Sequence, residues 1–267
     1  MTNKTDKKID WREESRRFDG VADLYDAYRP DYPEELVESV ISTTGIQQGG
    51  RILEIGSGSG NATIMFAQRG FPMVCIEPGR NLVAIASQKL KDFPHVEFET
   101  VTFEDWNENK REFELVISAQ AFHWIPKEIG YEKAARALKG NGYIALFWNM
   151  YPDPEGEILC DLSRVYQKHA SDLANRTNSF EDLIKQREIE IMESGYFGNV
   201  EVKRFHWSAR YDTKQYIGLL NTYSDHLRLS VENRSSLFEG VADLINKHGG
   251  CIEKPYIAVL YVAQKAG

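Results

Sequence analysis

The chain has 267 residues, 42% of them hydrophobic and 27% charged, which is typical of a globular protein with a buried core. Its formal net charge of -8 argues against a general nucleic-acid-binding protein, because phosphate contacts require clustered lysine and arginine. The three cysteines are far apart and the six histidines show no ligand spacing, so we expect neither a disulfide framework nor a metal site.

The N-terminal segment, residues 1–17, is largely polar and predicts a flexible tail. It contains no apolar run typical of a signal peptide. No apolar stretch elsewhere is long enough to span a bilayer. We therefore expect a cytoplasmic protein that does not contact a membrane.

Two helices are predicted within residues 18–45. Apolar residues recur on one helical face from Phe18 to Tyr28. The second helix is expected to run from Glu34 to Thr44 and to end at Gly45, since glycine readily adopts the backbone conformation that closes a helix.

Strand and helix patterns alternate through residues 46–150. The predicted strands are Arg51–Ile55, Met73–Ile76, Val96–Val101, Phe113–Ser118 and Tyr143–Trp148, and the helices are Asn61–Arg69, Asn81–Lys91 and Lys127–Lys139, the last closed by Gly140. Short, almost wholly apolar strands that alternate with helices predict a parallel sheet covered on both faces.

The pattern changes after Asn149, where two prolines interrupt it. The predicted elements are a polar helical region at 155–193, a strand Val200–Trp207, helices Thr213–His226 and Val231–His248, and a last strand Tyr256–Ala263. We interpret residues 151–250, called the cover below, as helices and one strand over the ligand-binding edge of the sheet. Residues 251–267 hold the final strand, so that 18–267 form a single domain.

A glycine-rich segment joins the first predicted strand to its helix. The candidate cofactor contacts in it are Glu54, Gly56, Ser57, Gly58 and Gly60. Glycines let the backbone approach a ligand closely, and the following helix offers free N–H groups. Glu77 ends the second strand, where a carboxylate can accept both hydroxyls of a ribose. These features fit any adenosine-containing cofactor.

Two details favour S-adenosylmethionine over a nicotinamide cofactor. The glycines have the spacing G-x-G-x-G and not the G-x-G-x-x-G built for a pyrophosphate. Glu54 is unfavourable beside a pyrophosphate but suits a ligand that carries an ammonium and a sulfonium. The alternatives left open are a nicotinamide-dependent oxidoreductase and a non-catalytic cofactor-binding protein on the same fold.

The same segments resemble the class I S-adenosylmethionine-dependent methyltransferases, in particular the branch called methyltransferase type 11. The resemblance rests on Glu54–Gly60 (motif I), Cys75–Pro78 (ribose), Thr102–Asp105 (adenine), Phe113–Trp124 (fourth strand) and Lys139–Ile144 (turn into the fifth strand). The segment from Ala22 to Pro33 is similar to the N-terminal pattern of trans-aconitate-methyltransferase-like proteins, where it covers the methionine end of the cofactor.

This resemblance implies a Rossmann-like, doubly wound sheet of seven strands, mostly parallel with one antiparallel strand, under a helical lid. It implies transfer of a methyl group from S-adenosylmethionine to a small-molecule acceptor, by a monomer or homodimer. The further cofactor contacts that we expect are Tyr28, Arg29, Pro78, Thr102, Phe103, Glu104 and Ala119.

The acceptor side is less defined by sequence. His123 follows the fourth strand and is a candidate proton acceptor. We favour a packing role for it, because methyl transfer from a sulfonium depends mainly on proximity and alignment, and we assign no catalytic residue. Trp124, Trp148 and Asn149 are candidate acceptor contacts, although a buried strand end explains the last two equally well.

Overall fold

The computed structural model describes residues 16–108, 112–174 and 179–267, so nearly all of the predicted N-terminal tail lies outside the described residues. The strands are β1 Ile52–Ile55, β2 Met73–Ile76, β3 Val96–Glu99, β4 Phe113–Ala119, β5 Leu138–Met150, β6 Phe197–Asp212 and β7 Cys251–Lys265. They form one sheet in the order β3-β2-β1-β4-β5-β7-β6.

Helices flank this sheet. They are α1 Ala22–Tyr28, α2 Glu34–Thr44, α3 Asn61–Ala67, α4 Arg80–Lys89, α5 Lys127–Ala137, α6 Glu157–His169, α7 Ser171–Ala174, α8 Phe180–Glu193, α9 Thr213–Leu220, α10 Ser224–Leu227 and α11 Val231–Lys247. A single 3₁₀ turn, Phe122–Trp124, follows β4. Gly45 closes α2 in a left-handed conformation, as predicted.

The sheet is parallel from β3 through β5, and β7 is the reversed strand, since it runs antiparallel to both β5 and β6. The predicted doubly wound sheet with one reversed strand is therefore confirmed. Strand order reverses beside β1, whose partners are β2 on one side and β4 on the other. Open α/β sheets bind ligands at the carboxyl ends of the strands at such a point.

Successive residues of the central strands pack into opposite cores. In β1, Leu53 belongs to the cluster that includes Trp106 and Ile184, whereas Ile52 belongs to the cluster that includes Leu36 and Phe66. Burial of each such side chain contributes about 1.5–3 kcal/mol. Both faces of the strands are thus covered, which explains why the sequence shows apolar runs and not alternation.

The start of β5 corrects one predicted boundary. Helix α5 ends at Ala137, and Leu138 already pairs with Phe113 of β4. The register then shifts, so that Tyr143 pairs with Leu115. Gly140 lies within this bulged strand and does not close the helix. The helix ends earlier because Leu138 is buried and pairs with β4.

The cover is more divided than the sequence pattern indicates. In the described part of the predicted helical region 155–193, which leaves out 175–178, three separate helices are present, α6 to α8. The predicted helix Thr213–His226 breaks between α9 and α10, where Thr222 is fully buried and its hydroxyl donates to the carbonyl of Leu219 at 2.6 Å. Strand β6 is also longer than predicted, since its alternating, half-exposed edge gives only a weak apolar signal.

Candidate active site

A cavity of about 1260 Å³, called the main cavity below, lies at the carboxyl ends of the strands. Its floor is lined by the last residues of β1, β2 and β4, which are Ile55, Ile76 and Ala119. Its volume exceeds the roughly 300–1,000 Å³ typical of a pocket for one small ligand. It therefore has room for a cofactor and a second molecule.

Most of the predicted site residues meet at this cavity. Those that line it are Arg29, Gly56, Gly58, Glu77, Pro78, Thr102, Phe103, Glu104, Ala119, His123, Trp124, Trp148 and Asn149. Four predicted cofactor contacts lie elsewhere, namely Tyr28, Glu54, Ser57 and Gly60.

The glycines of the loop after β1 have different tasks. All three have left-handed backbones, with φ of 72° at Gly56, 56° at Gly58 and 84° at Gly60. A Cβ on Gly60 would lie 2.8 Å from the Leu90 side chain, so this glycine permits the packing of α3 against the end of α4. A Cβ on Gly58 would meet only the Tyr25 ring, at 3.5 Å or more. Gly58 is thus the position where the backbone can approach a ligand.

Glu77 joins two loops at the cavity wall. Its Oε1 accepts the backbone N–H of Gly79 at 2.8 Å, and its Oε2 accepts that of Gly58 at 3.0 Å. Burial nevertheless raises the pKa of this carboxyl to about 7, against the opposing effect of the two N–H groups, and the charge of Asp19 adds to the rise. The carboxyl is held in place and is easily protonated.

Glu54 lies behind the glycine loop. It is fully buried, and its Oε2 accepts a hydrogen bond from the Thr63 hydroxyl at 2.6 Å. Its Oε1 has no partner among the described residues. Burial raises its pKa to about 7. Glu54 lines a rear cavity of about 30 Å³ together with Ser57 and Arg29. Arg29 therefore borders both cavities.

The N-terminal segment lines the main cavity with Tyr25, which the sequence did not predict as a cofactor contact, and not with the predicted Tyr28. Tyr28 packs against Gly218 of α9, where a Cβ would lie 2.4 Å from its ring, so it does not reach the main cavity. Tyr25 lines both cavities instead. Arg29 stacks on the rings of Tyr25 at 5.0 Å and Tyr223 at 4.7 Å. The helical face that the sequence shows includes Tyr25, and packing against α9 decides which tyrosine faces the cavity.

The loop after β3 is held by hydrogen bonds and offers one carboxylate oxygen. The Thr102 hydroxyl donates to the Asp105 carboxylate at 2.9 Å, and the Lys133 ammonium donates to the Glu104 carbonyl at 2.9 Å. Phe103 is buried and anchors the loop in the core. Oε1 of Glu104 is buried without a partner among the described residues. A buried acceptor of this kind fits a ligand donor.

His123 is held as a hydrogen-bond donor. The indole N–H of Trp148 donates to His123 Nδ1 at 3.1 Å, so the neutral imidazole carries its proton on Nε2. The His123 side chain is exposed to the main cavity. The surrounding protein, with the charges of Arg187 and Arg29, lowers its pKa to about 3. Neither ring nitrogen is then a base at neutral pH, which disfavours the proton-accepting role.

The two other acceptor-side candidates differ. Trp124 lines the cavity, and the Phe18 ring packs edge-on against it with a centroid separation of 5.9 Å. The amide of Asn149 is used within the protein, since its Nδ2 donates to the Asp31 carbonyl at 2.9 Å and its Oδ1 accepts from Trp207 at 3.1 Å. This favours the interpretation of Asn149 as a buried strand end.

Two further cavity residues were missed by sequence reasoning. Gln120 has a φ of 58°, the one positive value at a non-glycine residue in the part of the chain that the structure describes. Strained backbones of this kind cluster at functional sites, but the sequence carries no signal for this one. Arg187 of α8 also lines the cavity, in a region where the sequence shows only a polar helix.

Residues 52–142 match a family model described as a methyltransferase domain. That span contains the glycine loop, Glu77 and the loop after β3, which the structure brings to one cavity. The matched residues form a class I S-adenosylmethionine-dependent methyltransferase domain. This match favours methyl transfer over the nicotinamide-dependent and non-catalytic alternatives. The narrower branch, methyltransferase type 11 with trans-aconitate-methyltransferase-like features, stays a prediction.

Relatives and solved structures agree with this family. An uncharacterised methyltransferase of Schizosaccharomyces pombe is 24% identical to this methyltransferase over 222 residues, which cover 83% of this chain and 84% of the relative. A putative type II methyltransferase from Anaeromyxobacter dehalogenans shares the fold with a TM-score of 0.61 and 19% identity, over 90% of this chain and 98% of that one.

A third similar protein was solved with a cofactor. It is phosphoethanolamine N-methyltransferase 2 of Haemonchus contortus in complex with S-adenosyl-L-methionine, with a TM-score of 0.56 and 14% identity, over 98% of this chain and 61% of that one. At this identity the likeness shows the fold.

Among the helices that the structure describes, none combines the length and the apolar character needed to cross a membrane.

The two roles of glycine give a stability prediction. We expect Gly60→Ala to lower the free energy of unfolding by about 2–4 kcal/mol, since it combines left-handed strain with overpacking against Leu90. Gly45→Ala is the matched control: its φ is 62° and its Cβ would meet nothing within 4 Å, so only the strain of about 1–2 kcal/mol applies. Chemical denaturation measures both. Equal losses would contradict a packing role for Gly60.

His123 gives a prediction by nuclear magnetic resonance. Between pH 5 and 8 we expect its ring to stay neutral with the proton on Nε2, because its pKa is lowered to about 3. The unfolded chain binds this proton below about pH 6.5. His123 should therefore lower the stability of the fold as the pH falls from about 6.5, and His123→Phe should reduce that loss. A ring that titrates near pH 6.5 in the folded protein would refute the assignment.

Proposed function

We propose that this methyltransferase transfers the methyl group of S-adenosylmethionine to a small-molecule acceptor, as a cytoplasmic monomer or homodimer. The observation that carries the proposal is the single main cavity of about 1260 Å³, lined by the predicted cofactor residues and by His123, Trp124 and Trp148. A macromolecular acceptor would instead require an exposed docking surface beside the cofactor. The net charge of -8 further disfavours nucleic acid as acceptor.

The residues present fit the cofactor. Glu104 Oε1 and Arg29 Nε are buried polar atoms without partners among the described residues. A buried carboxylate oxygen suits the amino group of adenine, and a guanidinium suits the carboxylate of the methionine part. Glu77 supplies a carboxylate for the ribose hydroxyls, and Gly58 leaves the backbone accessible. The bound cofactor supplies a methyl group on a positively charged sulfur.

The protein's part in the reaction is to hold and enclose the reactants. Trp124 and Trp148 form apolar walls that exclude water from the acceptor side. His123 presents an N–H group and not a base. Alignment of two bound molecules can itself contribute a large share of the rate, so the absence of a base on His123 is compatible with methyl transfer. We propose no contact to the cofactor for Tyr28 or Gly60, and a supporting role behind the loop for Glu54 and Ser57.

The role of Glu77 can be tested by binding. We expect Glu77→Gln to weaken binding of S-adenosylhomocysteine by about 1–3 kcal/mol in isothermal titration calorimetry, since charge-assisted hydrogen bonds are lost. Glu99→Gln is the matched control, because Glu99 ends the neighbouring strand and its carboxylate accepts from Trp106 at 3.1 Å without lining the main cavity. Unchanged affinity in Glu77→Gln would remove this residue from the site.

The raised pKa of Glu77 adds a pH dependence. The ionised carboxylate is the form that accepts two hydroxyl hydrogen bonds, and its pKa in the free protein is about 7. Affinity for S-adenosylhomocysteine should therefore weaken as the pH falls below about 7. We expect Glu77→Gln to show a flatter profile from pH 8 to 5.5. An identical pH profile in the two proteins would show that Glu77 does not couple protonation to binding.

The class of acceptor is tested by product formation. We expect the protein, supplied with S-adenosylmethionine, to release S-adenosylhomocysteine when given the ultrafiltrate of a cell extract, and not when given the retained macromolecules. Mass spectrometry of the ultrafiltrate then identifies the methylated compound. Turnover only with the macromolecular fraction would overturn the small-molecule acceptor.

A further inference from the structure

Helix α8 directs an arginine into the main cavity. Phe180, Leu183 and Arg187 recur at a spacing of three and four residues and line the cavity. Ile184 and Ile191, on another face of the same helix, are buried in the core of the sheet. The register of α8 is therefore set by its apolar contacts, and this register places the Arg187 guanidinium inside the site and not on the outer surface.

Among the described residues, no acidic side chain forms a salt bridge with this guanidinium. Burial lowers its pKa, and the charge of Glu190 opposes this with a smaller raising effect. The guanidinium lies 3.9 Å above the ring of Trp148, and its Nε is buried without a hydrogen-bond partner among the described residues. Glu190, one turn further along α8, accepts from the Lys127 ammonium at 2.6 Å. A partly buried cation without a salt-bridge partner is unfavourable, and such groups are typical of sites where a ligand supplies the opposite charge.

The wall beside Arg187 also donates hydrogen bonds. Trp148, on which Arg187 stacks, occupies Nδ1 of His123 through its indole N–H. His123 is thereby left with a donor at Nε2, and it lines the same cavity. Through Trp148, a guanidinium and an imidazole N–H are held on the same wall, and this pair of donors, one of them charged, suits an anionic group best.

The cofactor's own carboxylate has a different partner. Arg29 stacks on Tyr25 and Tyr223 and borders both the main cavity and the rear cavity beside the glycine loop. Arg187 comes from the cover and lines only the main cavity of these two. The two guanidinium groups are thus held by different aromatic partners, and each is free to bind a different anionic group.

We propose that Arg187, assisted by the Nε2–H of His123, binds an anionic group of the methyl acceptor. This rests on the proposed function and narrows the acceptor to small molecules that carry a carboxylate or a phosphate. Trp148 positions both donors, because it stacks on one and hydrogen-bonds to the other.

The proposal is tested with three probes of similar shape: phenylacetate, phenyl phosphate and the neutral phenylacetamide. Each is titrated into the protein with and without saturating S-adenosylhomocysteine, by calorimetry. We expect at least one anion to bind, and phenylacetamide to bind about tenfold more weakly or worse. The stronger of the two anions distinguishes carboxylate from phosphate recognition. Equal affinity for anion and amide, or binding of neither anion, would overturn the proposal.

Variants then assign the recognition to one residue. Arg187→Gln should weaken binding of the anion about 10- to 100-fold and leave the affinity for S-adenosylhomocysteine unchanged. Arg204→Gln is the matched control, because this guanidinium stacks on Phe180 of the same helix at 6.0 Å but pairs with Glu181 at 2.7 Å, outside the cavity. Unaltered anion binding in Arg187→Gln would refute the assignment.

A measurement on the wild-type protein covers the case in which Arg187→Gln does not fold. The Nε–H resonance of Arg187, assigned by its absence in Arg187→Lys, should shift on addition of the anion and not of phenylacetamide. No shift of this resonance while the anion binds would also refute the proposal. Absence of S-adenosylhomocysteine binding would instead reject the proposed function. The two outcomes are distinguishable, because the anion titrations are also made without S-adenosylhomocysteine.

Discussion

The carboxyl group of Glu77 links the two loops on which the site depends. It accepts one backbone N–H from the glycine loop after β1 and another from the start of α4, so it fixes the distance between two neighbouring strand ends. The N-terminal segment joins the same point, because Asp19 accepts the N–H of Asn81 at 2.7 Å in the first turn of α4. A shift of Glu77 would therefore move the loop, the helix and the N-terminal segment together.

The site combines buried acids with partly buried guanidinium groups, and the desolvation of these charges is unfavourable for the fold without a ligand. Burial raises the pKa of both Glu54 and Glu77 to about 7 from the ordinary value of 4.5. Because the pKa of each carboxyl is higher in the folded than in the unfolded chain, proton binding by Glu54 and Glu77 stabilises the fold. This stabilisation is fully present below pH 4.5 and is lost as the pH rises to about 7. A ligand that carries an ammonium, a sulfonium and a carboxylate offsets these charges, which couples binding to stability.

The cover completes the cavity with contacts from distant parts of the chain. Arg29 donates from the end of α1 to the Thr222 carbonyl at 2.7 Å, and Tyr151 after β5 donates to the hydroxyl of Tyr223 at 2.8 Å. The guanidinium of Arg187 in α8 stacks on the ring of Trp148 near the end of β5. The sheet edge and Arg29 of the N-terminal segment thus supply the groups proposed for the cofactor. On the acceptor side, Arg187 of the cover joins His123 and Trp148 of the sheet edge.

The sequence by itself determined the alternation of strands and helices, the presence of one reversed strand through the family resemblance, and the cavity positions of Gly58, Glu77 and Glu104. These follow from local spacing, since a residue just after a parallel strand must lie at the ligand edge. Only the tertiary structure decided that Tyr25 and not Tyr28 faces the cavity, that Asn149 is used internally, and that Arg187 enters the site. Each of these depends on partners far away in the chain, namely Gly218, Trp207 and Trp148, and no local pattern specifies such contacts.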